Sequence, residues 1–245
     1  MVGASALAGF GIIRPREARA ATTLNVVLES EVVILDPHVI TAAITRTFGL
    51  HVFDTLFAMN EKGEIKPQMV DAWEQSSDRL TWSFRLRDGL KFHDGTPVTA
   101  ADCVASLQRW APGDPLGRML LAAMTSIEAR DGRSFTLALK EPFPLLLQVL
   151  GKPNAPLPVI MPERLAETDP SQAIPEYIGS GPFRFVPDEY VPGVSSAFAR
   201  NDDYVPREDG NMQWTAGPKR VFVDRVEWIV QPDASTAAAA LQIFD

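Results

Sequence analysis

The sequence contains one cysteine, Cys103, in 245 residues. An intrachain disulfide and a multi-cysteine metal site are therefore both excluded. Cys103 lies within an apolar helical pattern, and a lone cysteine in that setting is more often a small core residue than a nucleophile. We predict that Cys103 is buried and that the fold needs no covalent cross-link.

Basic residues are outnumbered, with 23 Lys and Arg against 31 Asp and Glu, which gives a formal net charge of −8. No cluster of Lys or Arg interrupts this balance. Nucleic acids and anionic membrane surfaces bind proteins largely through contacts between cationic side chains and phosphates. Both are therefore excluded as partners.

Long apolar runs are also absent, because no segment approaches 18 consecutive apolar residues. Residues 1–13 are apolar or small, and Ala18-Arg19-Ala20 follows as a small-x-small site. This pattern predicts a secretory signal over residues 1–20, although the basic residues that usually open such a signal are missing. A frayed first helix is the alternative. We expect an exported, soluble, periplasmic protein.

Catalytic and metal-binding motifs are missing as well. The sequence has no GxSxG, P-loop, GxGxxG or HExxH motif. Its three histidines, His38, His51 and His93, lie far apart and lack the spacing of zinc ligands. His93-Asp94 falls in a predicted turn, where local hydrogen bonds account for both residues better than acid–base catalysis does. We predict a protein that is not an enzyme and needs no cofactor or metal.

What the sequence does contain is the local pattern of an α/β fold. Thr23–Leu28 is a short β-branched run that predicts a strand, and residues 44–57 carry apolar residues near helical spacing. Residues 80–87 alternate apolar and polar side chains, which predicts a half-buried strand. Thr99-Ala-Ala-Asp102 is a helix start signal. Further strands are predicted at 135–139, 183–186, 195–200 and 226–230, and helices at 143–150 and 234–245.

The segment 72–110, AWEQSSDRLTWSFRLRDGLKFHDGTPVTAADCVASLQRW, resembles the signature of the family 5 extracellular solute-binding proteins, the peptide and nickel binding components of ABC importers. Three further segments agree: SEVVILDPH at 30–38, GSGPFRFV at 179–186 and RNDDY at 200–204. The positions that carry the main match are Trp73, Leu80, Phe84, Leu86, Arg87, Gly89, Phe92, Asp94 to Pro97, Thr99, Ala100 and Asp102.

The resemblance implies a type II-like periplasmic binding protein fold of class α/β, with a first lobe, an extra small domain and no second lobe. Residues 21–59 would begin the first lobe, 60–177 would form the family-specific small domain, and 178–245 would continue the first lobe. Family members are roughly twice as long as this chain. The resemblance therefore also implies a fragment that encloses no ligand by itself.

The function implied is capture of a small solute, with peptides as the leading class, for delivery to the permease subunits of an ABC transporter. We expect a monomer that reaches the membrane only through that permease. The alternatives are a truncated, non-functional fragment and an exported hydrolase using carboxylate pairs. The residues expected to line the ligand cleft are Ser30, Glu31, Val32 and Val33, which follow the first strand, and Gly179, Ser180 and Gly181.

Overall fold

The computed structural model describes residues 21–28 and 30–231. The predicted signal segment and the predicted helix at 234–245 lie outside these residues. In chain order the helices are α1 (Ala43–Val52), α2 (Ala100–Trp110), α3 (Pro115–Ala123), α4 (Leu146–Leu150) and α5 (Glu163–Ala166). The strands are β1 (Thr23–Leu28), β2 (Asp54–Thr55), β3 (Phe57–Met59), β4 (Ile65–Pro67), β5 (Val70–Gln75), β6 (Thr81–Leu86), β7 (Met124–Ala129), β8 (Ser134–Leu139), β9 (Val159–Ile160), β10 (Phe183–Phe185), β11 (Ser195–Arg200) and β12 (Arg225–Val230).

One four-stranded sheet has the order β1-β12-β11-β10. The first and last strands of the described chain, β1 and β12, pair in parallel, and β11 is antiparallel to both of its neighbours. Phe198 and Trp228 turn inward from adjacent strands with ring centroids 4.6 Å apart. Helix α1 packs against this face through Phe48 and Val52, both fully buried. This core belongs to the expected first lobe.

A second four-stranded sheet, entirely antiparallel, has the order β5-β6-β8-β7. The alternation predicted for residues 80–87 is confirmed, since Trp82, Phe84 and Leu86 are buried while the residues between them are exposed. Phe84 stacks on Phe135 of β8 at a centroid distance of 5.0 Å. Helix α2 covers this sheet and contributes Cys103, which is fully buried as predicted.

Helix α2 begins at the predicted start signal. The Thr99 hydroxyl accepts a hydrogen bond from the Asp102 amide, and the Asp102 carboxylate accepts one from the Thr99 amide at 2.7 Å. This reciprocal capping box satisfies two amides that the helix itself leaves without partners. Asp114 caps α3 in a similar way, accepting from the amides of Leu116 and Gly117.

The predicted helix over residues 44–57 is too long. Helix α1 ends at Val52, and the backbone becomes extended at Phe53. Asp54 and Thr55 then pair with β9. Long-range strand pairing outweighs the apolar periodicity there. After β6 the chain forms one isolated bridge, between Lys91 and Pro97, before α2 begins. Strands β5 and β7 and helix α3 were not predicted.

The expected domain limits stay a prediction, and the two hydrophobic cores do not follow them along the chain. Val159 of β9, Leu165 of α5 and Met161 between them pack in the same core as Phe48 and Phe198. They lie well before residue 177, so the last part of the 60–177 range contributes to the first lobe's packing. Within the described residues, no helix has the length and apolar character needed to cross a bilayer.

Candidate ligand-binding site

The first predicted ligand segment, residues 30–33, follows directly on β1. Ser30 and Glu31 are exposed, and Val33 leaves 64% of its surface accessible, whereas Val32 is buried. A large apolar side chain held in solvent beside a carboxylate is a surface suited to a ligand with both polar and apolar parts. Within the described residues the Glu31 carboxylate has no hydrogen bond or ion pair.

A turn over residues 190–193 holds this segment in place. The Tyr190 hydroxyl donates a hydrogen bond of 2.6 Å to the Val32 carbonyl oxygen. Gly193 has a φ of +73°, and a Cβ added there would lie 2.8 Å from Oε2 of Glu31. The left-handed backbone favours glycine here, whereas the Glu31 carboxylate is the end of a flexible, exposed side chain and could move aside for a Cβ. Burial, followed by the charge of Glu31, raises the pKa of Tyr190, so its hydroxyl stays a donor.

The other end of the loop is fixed by a fully buried ion pair. Asp36 accepts two hydrogen bonds from the Arg109 guanidinium, at 3.2 and 2.8 Å, and both side chains are completely shielded from solvent. Asp36 also accepts from the amides of His38 and Ile174. Arg109 also donates through Nε and Nη2 to the carbonyl oxygens of Thr168 and Gln172. Such extensive pairing is what makes a buried charge tolerable.

The second predicted segment, residues 179–181, packs tightly on the end of α1. A Cβ at Gly179 would lie 2.1 Å from the Val52 carbonyl oxygen, and one at Gly181 would lie 2.7 Å from it. The Gly181 amide donates to that same oxygen at 2.9 Å. The close approach that these glycines allow is thus to the chain's own backbone. Ser180 between them is buried, and its hydroxyl has no partner among the described residues.

His93 joins residues 179–181 to the turn between β6 and α2. Its Nδ1 accepts from the Gly179 amide at 3.3 Å, which leaves Nε2 to donate to the Gly181 carbonyl oxygen at 3.1 Å. Burial lowers the pKa of His93 to about 4, so the ring is neutral at pH 7. The Asn201 side chain donates to the same Gly181 oxygen at 3.0 Å. The side-chain hydrogen bonds of His93 are thus long-range, and not the local ones that its predicted turn suggested.

The structure does not bring the two predicted segments into direct contact: no hydrogen bond or ion pair among the described residues joins 30–33 to 179–181. Their assignment to ligand binding stays a prediction. Tyr190 and Gly193 were not among the predicted residues, although Tyr-Val-Pro-Gly at 190–193 is a visible turn signal. Arg109 was not predicted either, because nothing in a local pattern pairs it with Asp36.

In the described chain no three His, Cys, Asp or Glu side chains are placed to hold a metal ion.

Comparison with known proteins settles the family. The profile described as "Bacterial extracellular solute-binding proteins, family 5 Middle" matches residues 64–243. The chain belongs to this family. A relative in Sinorhizobium fredii, named as the probable peptide ABC transporter periplasmic-binding protein y4tO, is 42% identical over 99% of this chain and 45% of its own length. The glutathione-binding protein GsiB of Pectobacterium atrosepticum is 30% identical over 91% of this chain and 41% of its own.

The fold is likewise that of solved binding proteins. The binding protein AgaA of A. tumefacien R10, solved with agropinic acid, is 30% identical with a TM-score of 0.69, covering 90% of this chain and 42% of AgaA. MoaA from the same source, solved with mannopinic acid, has a TM-score of 0.73 at 24% identity and supports the fold alone. The chain spans a little under half the length of the relatives it matches. The predicted family and fold class are confirmed.

Proposed function

We propose that this chain supplies one wall of the solute-binding cleft of an ABC importer's periplasmic binding subunit, and that the solute is a small peptide. The observation that carries the proposal is the 42% identity to y4tO over nearly the whole chain, because that relative is named as a peptide transporter's binding protein. Binding and release of solute, with delivery to a membrane permease, would be the whole activity, without catalysis.

The geometry at residues 30–33 supports a peptide as the solute. The Glu31 carboxylate is unpaired among the described residues and exposed, so it can meet the ammonium group of a peptide amino terminus. Val33 offers an apolar contact next to it. The Tyr190 hydroxyl and the Gly193 turn hold the segment so that little ordering remains to be done when a ligand binds.

The test is a nuclear magnetic resonance titration of the chain with trialanine, following the Val32 and Val33 methyl signals. One wall buries less of a solute than a closed cleft does, so we expect a Kd on the order of 1 mM. Glu31→Gln should weaken binding about tenfold, and N-acetyl-trialanine should bind the original chain about as poorly, because each change removes one partner of the same charged contact.

The matched control is Glu61→Gln, which removes an exposed carboxylate from the turn between β3 and β4. It should leave the Kd unchanged. Tyr190→Phe, which deletes only the hydroxyl bonded to Val32, should weaken trialanine binding without changing the circular dichroism spectrum. Equal affinities for Glu31→Gln and Glu61→Gln, or no shift at Val32 and Val33, would contradict the proposal.

A further inference from the structure

A cavity of about 670 Å³ lies far from the predicted ligand segment. It is bounded by Leu24 at the start of β1, by the second half of α1, by the first residues of β10 and by the loop 210–223. Ser30 follows the opposite end of β1. Six extended residues span about 20 Å, so the cavity and the ligand segment lie at opposite ends of that strand. The cavity is therefore a separate site.

The walls of this cavity expose an unusual amount of large apolar surface. Leu24 is 49% accessible, Met212 47%, Trp214 55% and Phe222 82%. Four such side chains around one depression exceed what scattered surface hydrophobics account for, and a concentrated apolar patch of this kind marks a binding surface. The volume falls within the range of small-molecule pockets.

The exposed indole of Trp214 lies on a turn that hydrogen bonds hold in place. Trp214 has a φ of +54°, a conformation that bulky residues rarely adopt. The next residue, Thr215, locks the turn: its hydroxyl donates to the Met59 carbonyl oxygen at 2.9 Å and accepts from the Met59 amide at 3.1 Å. An isolated antiparallel β-bridge also joins Gln213 to Ala216. A strained backbone that the surroundings hold in this way is typical of functional positions.

Two polar groups on the rim remain unused. The Nδ1–H of His51 donates to the Thr47 carbonyl oxygen at 2.9 Å, so Nε2 is an unprotonated acceptor with no partner among the described residues. Burial lowers the pKa of His51, which keeps the ring neutral at pH 7. Phe183 and Trp228 pack against the ring and fix its orientation. Arg220 is exposed, and within the described chain its guanidinium has no hydrogen bond or ion pair.

We propose that this cavity binds a ring-bearing organic anion whose ring carries an O–H or N–H donor. The ring would lie against Met212, Trp214 and Phe222. The anionic group would pair with Arg220, and the donor on the ring would bond Nε2 of His51. A carboxylate and a guanidinium are matched in shape as well as charge, and an unprotonated imidazole nitrogen accepts only from a donor.

The experiment is a nuclear magnetic resonance titration with 4-hydroxyphenylacetate, which has both groups. We expect saturable shifts of the Trp214 indole and His51 ring signals, with a Kd on the order of 0.1 to 1 mM for a ligand of this size. Tyramine, which replaces the anion by a cation, and 4-methoxyphenylacetate, which lacks the donor, should each bind about tenfold more weakly.

Two variants assign the effect. Arg220→Gln should weaken binding of 4-hydroxyphenylacetate about tenfold. Arg46→Gln removes an arginine of α1 that lies outside the cavity lining and has no side-chain partner among the described residues, and it should change nothing. Glu31→Gln should also leave this titration unchanged, which separates the site from the proposed peptide contact. Absence of saturable binding, or equal Kd values for Arg220→Gln and Arg46→Gln, would overturn the proposal. Equal binding of 4-methoxyphenylacetate would overturn the role of His51.

Discussion

Acidification should loosen the contact between the turn before α2 and residues 179–181, because the His93 ring must stay neutral to make this contact. The folded chain lowers the pKa of His93 from 6.5 to about 4, chiefly through burial. The unfolded chain therefore binds more protons between these two values. The stability that neutral His93 provides is complete above pH 6.5 and is lost as the pH falls toward 4. The full effect is about 3.4 kcal/mol, of which about 2 kcal/mol falls between pH 7 and pH 5.

The measurement is urea unfolding of the original chain and of His93→Gln at pH 7 and pH 5, followed by tryptophan fluorescence. A glutamine can still donate to Gly181 and accept from Gly179, but it does not titrate. The original chain should lose about 2 kcal/mol more than the variant over this interval. His38, whose pKa burial also lowers to about 4, is present in both chains and cancels. Equal losses, with unchanged m-values, would refute the reasoning.

Three further outcomes are expected. Arg109→Met should cost about 3–5 kcal/mol in urea unfolding, because it leaves the Asp36 carboxylate buried without a counter-charge; a loss below about 1 kcal/mol would show that the pair is dispensable. Gly179→Ala should destabilise by at least about 2 kcal/mol, since its Cβ would collide with the Val52 carbonyl oxygen, while Gly132→Ala, with open space around it, should be close to neutral. Cys103, whose pKa burial raises, should not react with a thiol reagent in the folded chain and should titrate as one thiol in urea; fast labelling without denaturant would contradict its burial.

The parts of the fold that could be predicted are those that local chemistry specifies. The strict alternation in β6 and the capping box of α2 depend on neighbours within a few residues, and both are found as predicted. Strand β5 and helix α3 could not be read in the same way. Burial in β5 is irregular, with a bulge between Val70 and Ala72, so its side chains do not alternate cleanly. Helix α3 begins with Pro115, and the Pro112-Gly113 turn just before it is a pattern that ends helices more often than it precedes them.

The candidate site was predicted less completely because long-range contacts define it. Residues 30–33 could be proposed as a ligand segment from the family resemblance, but the tyrosine that holds them lies far along the chain. Asp36 and Arg109, which pair at the other end of this loop, are likewise far apart in the sequence. Residues 179–181 show the converse case. A Gly-x-Gly pattern allows a close backbone approach, yet the pattern does not say whether the approaching group is a ligand or, as at Val52, the chain itself.

The segment 72–110 carries the longest family resemblance, and the structure connects it to both predicted ligand segments. His93, in the turn before α2, makes hydrogen bonds to the backbone of Gly179 and Gly181. Arg109, near the end of α2, pairs with Asp36, which follows residues 30–33 in the sequence. Helix α2, which begins at the Thr99–Asp102 capping box, connects these two contacts. The block of sequence that carries the family resemblance therefore also positions both segments predicted to bind ligand. Under the proposed function, this motif would act by holding those segments in place, without any of its own side chains contacting the ligand.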